Sequence, residues 1–244
     1  MQSKKTVLIT GATDGIGRAL AKIYRARGER LVMVGRRTLS ALNDPLYTKD
    51  TYCRADLSQN DCANRVCEFL NAQKIDAIDL AIQNAGTGYF GSIAEQSAES
   101  IRDILAVNLM APLRLTHALI PYLKKTNGKL VLIGSITHAF PCPDYAVYAA
   151  SKEALNTLGR NLKIENDINV QIIHPGATRT GLHRKIGMDS EKTKEFPSAE
   201  KVAQKITQAI DGRRFIATIG WRNAWARFLG RYCEGIVNAM VRTT

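Results

Sequence analysis

Seven short runs of apolar and β-branched residues recur along the chain, separated for the most part by longer stretches of helical character. The runs are TVLIT (6–10), RLVMVG (30–35), TYCRA (51–55), DLAIQ (79–83), KLVLIG (129–134), NVQIIH (169–174) and FIATI (215–219). Several are almost wholly apolar, a composition that suits strands covered by helices on both faces. The segments 15–27, 98–126 and 145–165 have helix length. Such alternation predicts an α/β fold built on a doubly wound parallel sheet of about seven strands. Right-handed crossovers then place helices on both faces of the sheet. With no internal linker, repeat or low-complexity tract, the 244 residues read as a single domain, 1–244.

Charge and cysteine usage narrow the setting. The chain carries 34 basic and 22 acidic residues, a net charge of +12. That balance suits nucleic acid, an anionic membrane surface or an anionic ligand. The basic residues are spread without a run of four, however, so the reading is a solvated basic surface with no nucleic-acid partner. No uninterrupted apolar stretch approaches about 18 residues, so no transmembrane helix is expected. MQSKKTVLIT reads as the first strand rather than as a signal peptide. Cys53, Cys62, Cys67, Cys142 and Cys233 are odd in number and lack CxxC spacing. A reducing, cytoplasmic compartment is therefore expected. His117, His138, His174 and His183 are scattered, and no metal site is expected.

The first strand runs into TGATDGIGRALAKIY, which puts Gly11, Gly15 and Gly17 between a strand and a helix. In that context the first glycine permits a tight turn, the second lets backbone approach a ligand, and the third allows close helix–sheet contact. The amino end of the following helix then offers amides and a positive dipole to a phosphate, with Thr13, Asp14 and Ile16 completing the turn. The TGxxxGxG spacing resembles the short-chain dehydrogenase/reductase family in its compact, Rossmann-like, single-domain form. Further motifs follow in the family's order. Asp56-Leu57 after the third strand looks like the adenine-contacting pair, and Asn84-Ala85-Gly86 after the fourth is packed under the cofactor in the family. Asn108 sits in VNLMAP, Ser135 ends the fifth run, and YAASK supplies Tyr148 and Lys152. HPGATRT supplies Pro175, Gly176, Thr178 and Thr180 after the sixth, so the resemblance covers residues 6 to about 180.

The end of the second strand bears on the choice of nicotinamide cofactor. An acidic residue there would bond a ribose 2′-hydroxyl and repel a 2′-phosphate. This chain has VGRR, in which Gly35 offers no carboxylate and Arg36 and Arg37 follow. A guanidinium grips phosphate through parallel hydrogen bonds, so NADP(H) is expected. Asp14 weighs the other way, since NADP members of the family often carry a basic residue at that place.

Two tyrosines compete for the role of proton donor in DYAVYAASK (144–152). A free phenol has a pKa near ~10, and a neighbouring ammonium lowers it. Tyr148 stands four residues before Lys152, one turn away on the same helix face, whereas Tyr145 stands seven before it. Tyr148 is therefore the expected acid/base, and Tyr145 a wall of the substrate pocket. The family resemblance implies the remaining roles. Ser135 bonds the reacting oxygen, and Lys152 lowers the tyrosine pKa and bonds the nicotinamide ribose. Asn108 helps hold a water leading to Lys152, while Pro175-Gly176 and Thr180 border the nicotinamide.

The segment THAFPCPDY brings Thr137, Phe140, Cys142 and Tyr145 to the substrate side, with Tyr89 and Phe90 from TGYF. This apolar to aromatic lining suits a hydrophobic ketone or aldehyde, or the corresponding secondary alcohol. Residues 181–196 read as a substrate lid whose Arg184 and Lys185 either attract an anionic group or are simply solvated. From residue 221 to 244 an amphipathic helix is expected, with Trp221, Trp225, Phe228, Leu229, Tyr232, Ile236 and Met240 at helical spacing and arginines between them. It reads either as an interfacial helix in peripheral contact with a membrane or as one packed on its own domain or a partner subunit. The resemblance implies a homo-oligomer, dimer or tetramer. A non-catalytic NADP(H)-binding redox sensor and a membrane-docked partner protein are the alternatives in other classes. The intact set Asn108, Ser135, Tyr148 and Lys152 argues against a sensor.

Overall fold

The computed structural model describes residues 4–165, 168–186, 190–233 and 235. Its centre is a parallel sheet of β1 (Thr6–Thr10), β2 (Arg30–Gly35), β3 (Tyr52–Arg54), β4 (Leu80–Gln83), β5 (Lys129–Ile133), β6 (Asn169–His174) and β7 (Ile216–Thr218). The strand order is β3-β2-β1-β4-β5-β6-β7. All seven expected strands form, with the third, fourth, fifth and seventh a residue or two shorter than their apolar runs. The chain builds outward from β1 in one direction, then returns to β4 and builds outward in the other. At that reversal the loops leaving β1 and β4 diverge, and ligands of such sheets bind in the crevice this creates.

Alternation along each strand feeds two cores. Val7, Ile9, Met33, Ile82, Val131 and Ile173 face α1 (Gly15–Ala26) and α9 (Ala199–Asp211), meeting Leu20, Val202 and Ile206. Leu8, Val32, Ala81, Leu130 and Val170 face the opposite layer, which includes α3 (Cys62–Ala72), α5 (Ala111–Lys124) and α6 (Ala146–Glu165). Between these lie the short α2 (Leu39–Leu42) and α4 (Ala98–Leu105). All five cysteines are free.

The helix expected over 98–126 runs from Ala98 to Lys124 with one irregularity, a π-helical turn at Ala106–Met110 joining α4 to α5. The Ala111 amide donates to the Ala106 carbonyl, one residue further back than in an α-helix. Pro112 follows directly and has no N–H to give to Asn108. By length and composition this helix could cross a membrane. In this fold, though, Leu115, Leu119 and Leu123 lie in the core.

The segment expected to act as a lid contains two short helices, α7 (Gly181–Lys185) and α8 (Ser190–Thr193), with residues 187–189 outside the described set. The C-terminal helix α10 spans Trp221–Tyr232; Ile236 and Met240 of the expected pattern lie outside the described residues. The face of α10 bearing Asn223, Arg227 and Gly230 meets the domain. Trp221, Trp225, Phe228 and Tyr232 are each more than half exposed on the remainder.

Candidate active site

The glycine turn closes over the carboxyl end of β1. Gly11 and Gly15 have φ of +65° and +48°, left-handed values that residues with a Cβ adopt only under strain. At Gly17 the limit is space, because a Cβ there would stand 2.2 Å from the Gly11 carbonyl oxygen. The Asp14 side chain caps α1 by accepting from the Gly15 amide at 2.7 Å. It also lies against the start of α7, where a Cβ on Gly181 would be 2.4 Å from its carboxylate. A carboxylate therefore takes the first amide at the turn expected to receive a phosphate, which leaves Ile16 and Gly17 as the next backbone groups. Asn84 ties the β4 loop down by donating to the Thr10 carbonyl at 3.0 Å. The Thr10 hydroxyl in turn accepts from the Asn84 and Ala85 amides.

At the carboxyl end of β2 both arginines are exposed. Arg37 donates to the Thr13 carbonyl of the glycine turn, and Tyr52 donates to the Arg37 carbonyl at 2.8 Å. Parallel pairing sets Gly35 opposite Arg54, whose Nε donates to the Arg36 carbonyl at 3.4 Å. Three arginines thus stand at this corner, and the sequence alone singled out only two. Strand register brought the third, and no local spacing reveals register. Asp56 accepts from the Ser58 amide and hydroxyl, and Leu57 is buried beside it.

The opposite side of the crevice holds the residues expected to handle the proton. Ser135 leaves β5 and caps a 3₁₀ turn at Ile136–His138. Its Oγ accepts from the Thr137 amide at 3.3 Å and from the Thr137 hydroxyl at 3.0 Å. Thr137, expected as pocket lining, therefore also bonds Ser135. Burial pushes the Tyr148 phenol up, and its side-chain hydrogen bond with Ser135 pulls it partly back. Lys152 is buried one turn along α6, with Nζ 5.7 Å from the Tyr148 ring centre and donating to the Ile133 carbonyl at 3.0 Å. Burial lowers its pKa to about 8. In this environment, burial dominates the Tyr148 phenol, in place of the depression by Lys152 that the resemblance implied.

Asn108 is fully buried on the π turn. Its amide accepts from the Thr87 N–H at 2.8 Å and donates to the Thr87 carbonyl and the Ser151 hydroxyl. Ser151 bonds the Tyr148 carbonyl at 2.7 Å, so Asn108 braces the backbone of the β4 loop against α6. A Cβ on Gly86 would come within 3.4 Å of Lys152 Nζ and 3.5 Å of Asn108 Oδ1. Gly86 thus lies beside both groups.

Beyond Tyr148, the Tyr145 ring packs at 5.9 Å and Phe90 packs on Tyr145 at 5.3 Å. Burial pushes the Tyr145 phenol up to about 12. Cys142 is half-buried with its thiol pushed up, and Phe140 borders α10 at Gly230. Two residues of this wall lie in segments expected to face substrate but were not singled out there. Ile186 is buried, and a Cβ on Gly88 would sit 3.3 Å from the Tyr148 ring and 3.7 Å from Ile186. Ile186, which follows α7 directly, therefore comes close to the same glycine as the Tyr148 ring. Pro175 accepts from the Ile136 amide, the Thr178 hydroxyl donates to the Gly176 carbonyl, and Thr180 touches Gly15. Among the described residues no group of three His, Cys, Asp or Glu could hold a metal ion.

Comparison with known proteins agrees with this geometry. A family model described as short chain dehydrogenase matches residues 5–191. Dehydrogenase/reductase SDR family member 7B of Bos taurus is 32% identical over 232 residues, covering 85% of this chain and 71% of the relative. A short-chain dehydrogenase from Sphingobium yanoikuyae, solved in complex with NADPH, superposes with a TM-score of 0.79 at 28% identity, covering 93% of this chain and 92% of that one. A short chain dehydrogenase/reductase from Burkholderia phymatum, solved in complex with NAD, shares the fold with a TM-score of 0.81 at 22% identity, over 93% and 92% of the two chains.

Proposed function

We propose, since the chain belongs to the short-chain dehydrogenase/reductase family of oxidoreductases, that it uses NADP(H) to interconvert a hydrophobic ketone or aldehyde and the corresponding alcohol. The observation that carries this reading is the convergence of Ser135, Tyr148, Lys152 and Asn108 at the reversal of the sheet. The left-handed glycine turn and the arginine corner fit a dinucleotide with a 2′-phosphate. Gly11 and Gly15 would let the backbone approach the pyrophosphate and Ile16 and Gly17 would hold it, with Thr13 and Asp14 shaping the turn, and Arg36, Arg37 and Arg54 would hold the 2′-phosphate. Asp56 and Leu57 would meet the adenine. Asn84, Ala85, Gly86, Pro175, Gly176, Thr178 and Thr180 would surround the nicotinamide half, with Lys152 at its ribose.

When bound, the nicotinamide supplies or accepts the hydride. The protein's part is to hold the carbonyl and manage one proton. Tyr148 donates its hydroxyl proton to the carbonyl oxygen during reduction and takes one from the alcohol during oxidation. The Thr137 hydroxyl donates into the Ser135 oxygen, which turns the Ser135 hydroxyl toward Tyr148 and the oxygen that reacts there. Lys152 keeps an ammonium beside Tyr148 up to about pH 8. Asn108 fixes the β4 loop against α6 so that Gly86 stays open beside them. Tyr145, Phe90 and Ile186 give the substrate an apolar wall.

Two experiments test this. Replacing Arg36 and Arg37 together with neutral residues should raise the Kd for NADPH by about 10- to 100-fold, the weight of one or two charge-assisted bonds, with little change for NADH. Equal loss for both dinucleotides would refute the phosphate clamp. The second is a pH profile. Oxidation needs the phenolate, and burial holds the Tyr148 phenol above its ordinary value. Alcohol kcat/KM should therefore climb through the alkaline range, while ketone reduction stays level across neutral pH. A flat oxidation profile from about pH 6 to about pH 9 would contradict Tyr148 as the base.

A further inference from the structure

His138 closes the turn that begins at Ser135, and the proton transfer above makes no use of it. Its side chain is 2% exposed and stacks on His174 with ring centres 4.1 Å apart. Nδ1 lies 2.7 Å from Glu153 Oε2 on α6, and Nε2 accepts from Arg227 Nε on α10 at 3.2 Å. One neutral tautomer, protonated at Nδ1, satisfies both bonds at once. Burial holds the ring below its ordinary pKa against the pull of Glu153, in keeping with that neutral form. The imidazole is thus a bridge between a carboxylate on one helix and a guanidinium on another, placed three residues after the serine.

Helix α10 meets the same turn through its backbone. A Cβ on Gly230 would be 2.2 Å from the Ala139 carbonyl oxygen and 2.7 Å from Phe140 Cβ. One face of α10 therefore contacts residues 138, 139 and 140 in succession. Near its start, Asn223 closes on Gly176, where a Cβ would be 2.3 Å away. The Ile136 amide bonds the Pro175 carbonyl and joins these two segments to each other. Every connection from α10 into the domain named here ends on a loop that borders the crevice.

We propose that Arg227 is a positioning residue for the reaction, acting through His138 to fix the turn that aims the Ser135 hydroxyl. The inference rests on the role given to Ser135. Exposed as α10 otherwise is, it is then part of the catalytic support and not an appendage. The Glu153–His138–Arg227 chain has donors and acceptors matched along its length, so removing Arg227 strands a buried imidazole acceptor. The turn then loses its side-chain hydrogen bond to α10, and only the backbone approach at Gly230 remains.

A double-mutant cycle in the full-length protein tests this, with ketone reduction followed by NADPH absorbance. Arg227→Leu should lower kcat about 10-fold with KM little changed, and Arg227→Lys, which can still donate, should recover part of the loss. In a Ser135→Ala background Arg227→Leu should cost less than about 2-fold more, because the group it positions is gone. An undiminished loss in that background would overturn the proposal, as would wild-type kcat in Arg227→Leu. Glu153→Gln, on a half-exposed side chain, should act in the same direction and covers the case in which Arg227→Leu folds poorly. Hydrogen exchange supplies a readout independent of turnover. Amides of 134–140 should exchange faster in Arg227→Leu while those of β1 and β4 keep their protection, and unchanged protection of 134–140 would also overturn the proposal. If the wild-type protein reduces none of the ketones tried, the catalytic reading fails, and the exchange result alone decides whether Arg227 holds the turn.

Discussion

Replacing Tyr148 with phenylalanine is expected to cut turnover by about 10²- to 10⁴-fold in both directions, the usual weight of a positioned acid/base. The ring would keep its contact with Tyr145, and the backbone bond from Ser151 to the Tyr148 carbonyl would be untouched. NADPH affinity and thermal stability should therefore stay near wild type. The loss belongs in kcat, since the proton moves only at the chemical step. Tyr145→Phe is the matched control, for it removes a hydroxyl, also pushed up by burial, from the neighbouring ring. It should alter preference among ketones and leave the best substrate's kcat within a few-fold. Near-normal kcat in Tyr148→Phe, measured by NADPH absorbance under saturating ketone, would remove the proposed mechanism.

Lys152→Met should cut turnover as heavily and, unlike Tyr148→Phe, should raise stability. Burial lowers the lysine pKa from its ordinary 10.5 to about 8, so at neutral pH the fold holds a charge it would rather not bury. A shift of that size corresponds to about 3 kcal/mol, partly offset by the bond to Ile133. Methionine of similar length should make the protein more stable by about 1–3 kcal/mol in urea denaturation while turnover falls by about 10²-fold or more. The pH dependence carries a sharper signature. Between about 8 and 10.5 the unfolded lysine keeps its proton while the folded one has lost it, so wild-type stability should rise with pH across that window. Below about pH 8 both states are protonated and the penalty is present in full. The difference between wild type and Lys152→Met should therefore shrink as pH climbs from about 8 to 10.5. A constant difference would mean that Lys152 is not the buried cation described.

How much of this was readable in the chain depends on the distance between interacting residues. The strands announced themselves because several are almost wholly apolar runs, and the helix after Gly17 because glycine spacing and strand context lie within a dozen positions. Tyr148 and Lys152 share a turn, so helical periodicity alone pairs them. Arg54 was missed because it stands beside Arg36 only through the register of β2 with β3. His138 was set aside as a scattered histidine, for its partners lie 15 and 89 residues away. Tyr148 and Ile186 both come close to Gly88 from the other half of the sequence. The amphipathic pattern of α10 was plain, but which face it would bury was not. That choice follows from Gly230, the position at which two backbones can approach.

The widened turn at Ala106–Met110 has one more consequence. It amounts to a single extra residue threaded into a regular helix, and each residue of an α-helix advances the side-chain direction by about 100°. The two halves of Ala98–Lys124 are therefore out of phase by that angle, and the site is built on the offset. Upstream, Ile104 is buried; downstream, Leu115, Leu119 and Leu123 fill the core; Asn108 sits at the seam with its amide on Thr87 and Ser151. Deleting one residue there would yield a smoother helix and a worse protein, since straightening must swing either Ile104 out of the interior or Asn108 off its partners. The helix thus has a reading frame of its own. Length variation that a surface loop absorbs freely is forbidden at this turn, and an engineer regularising the scaffold should leave the defect in place.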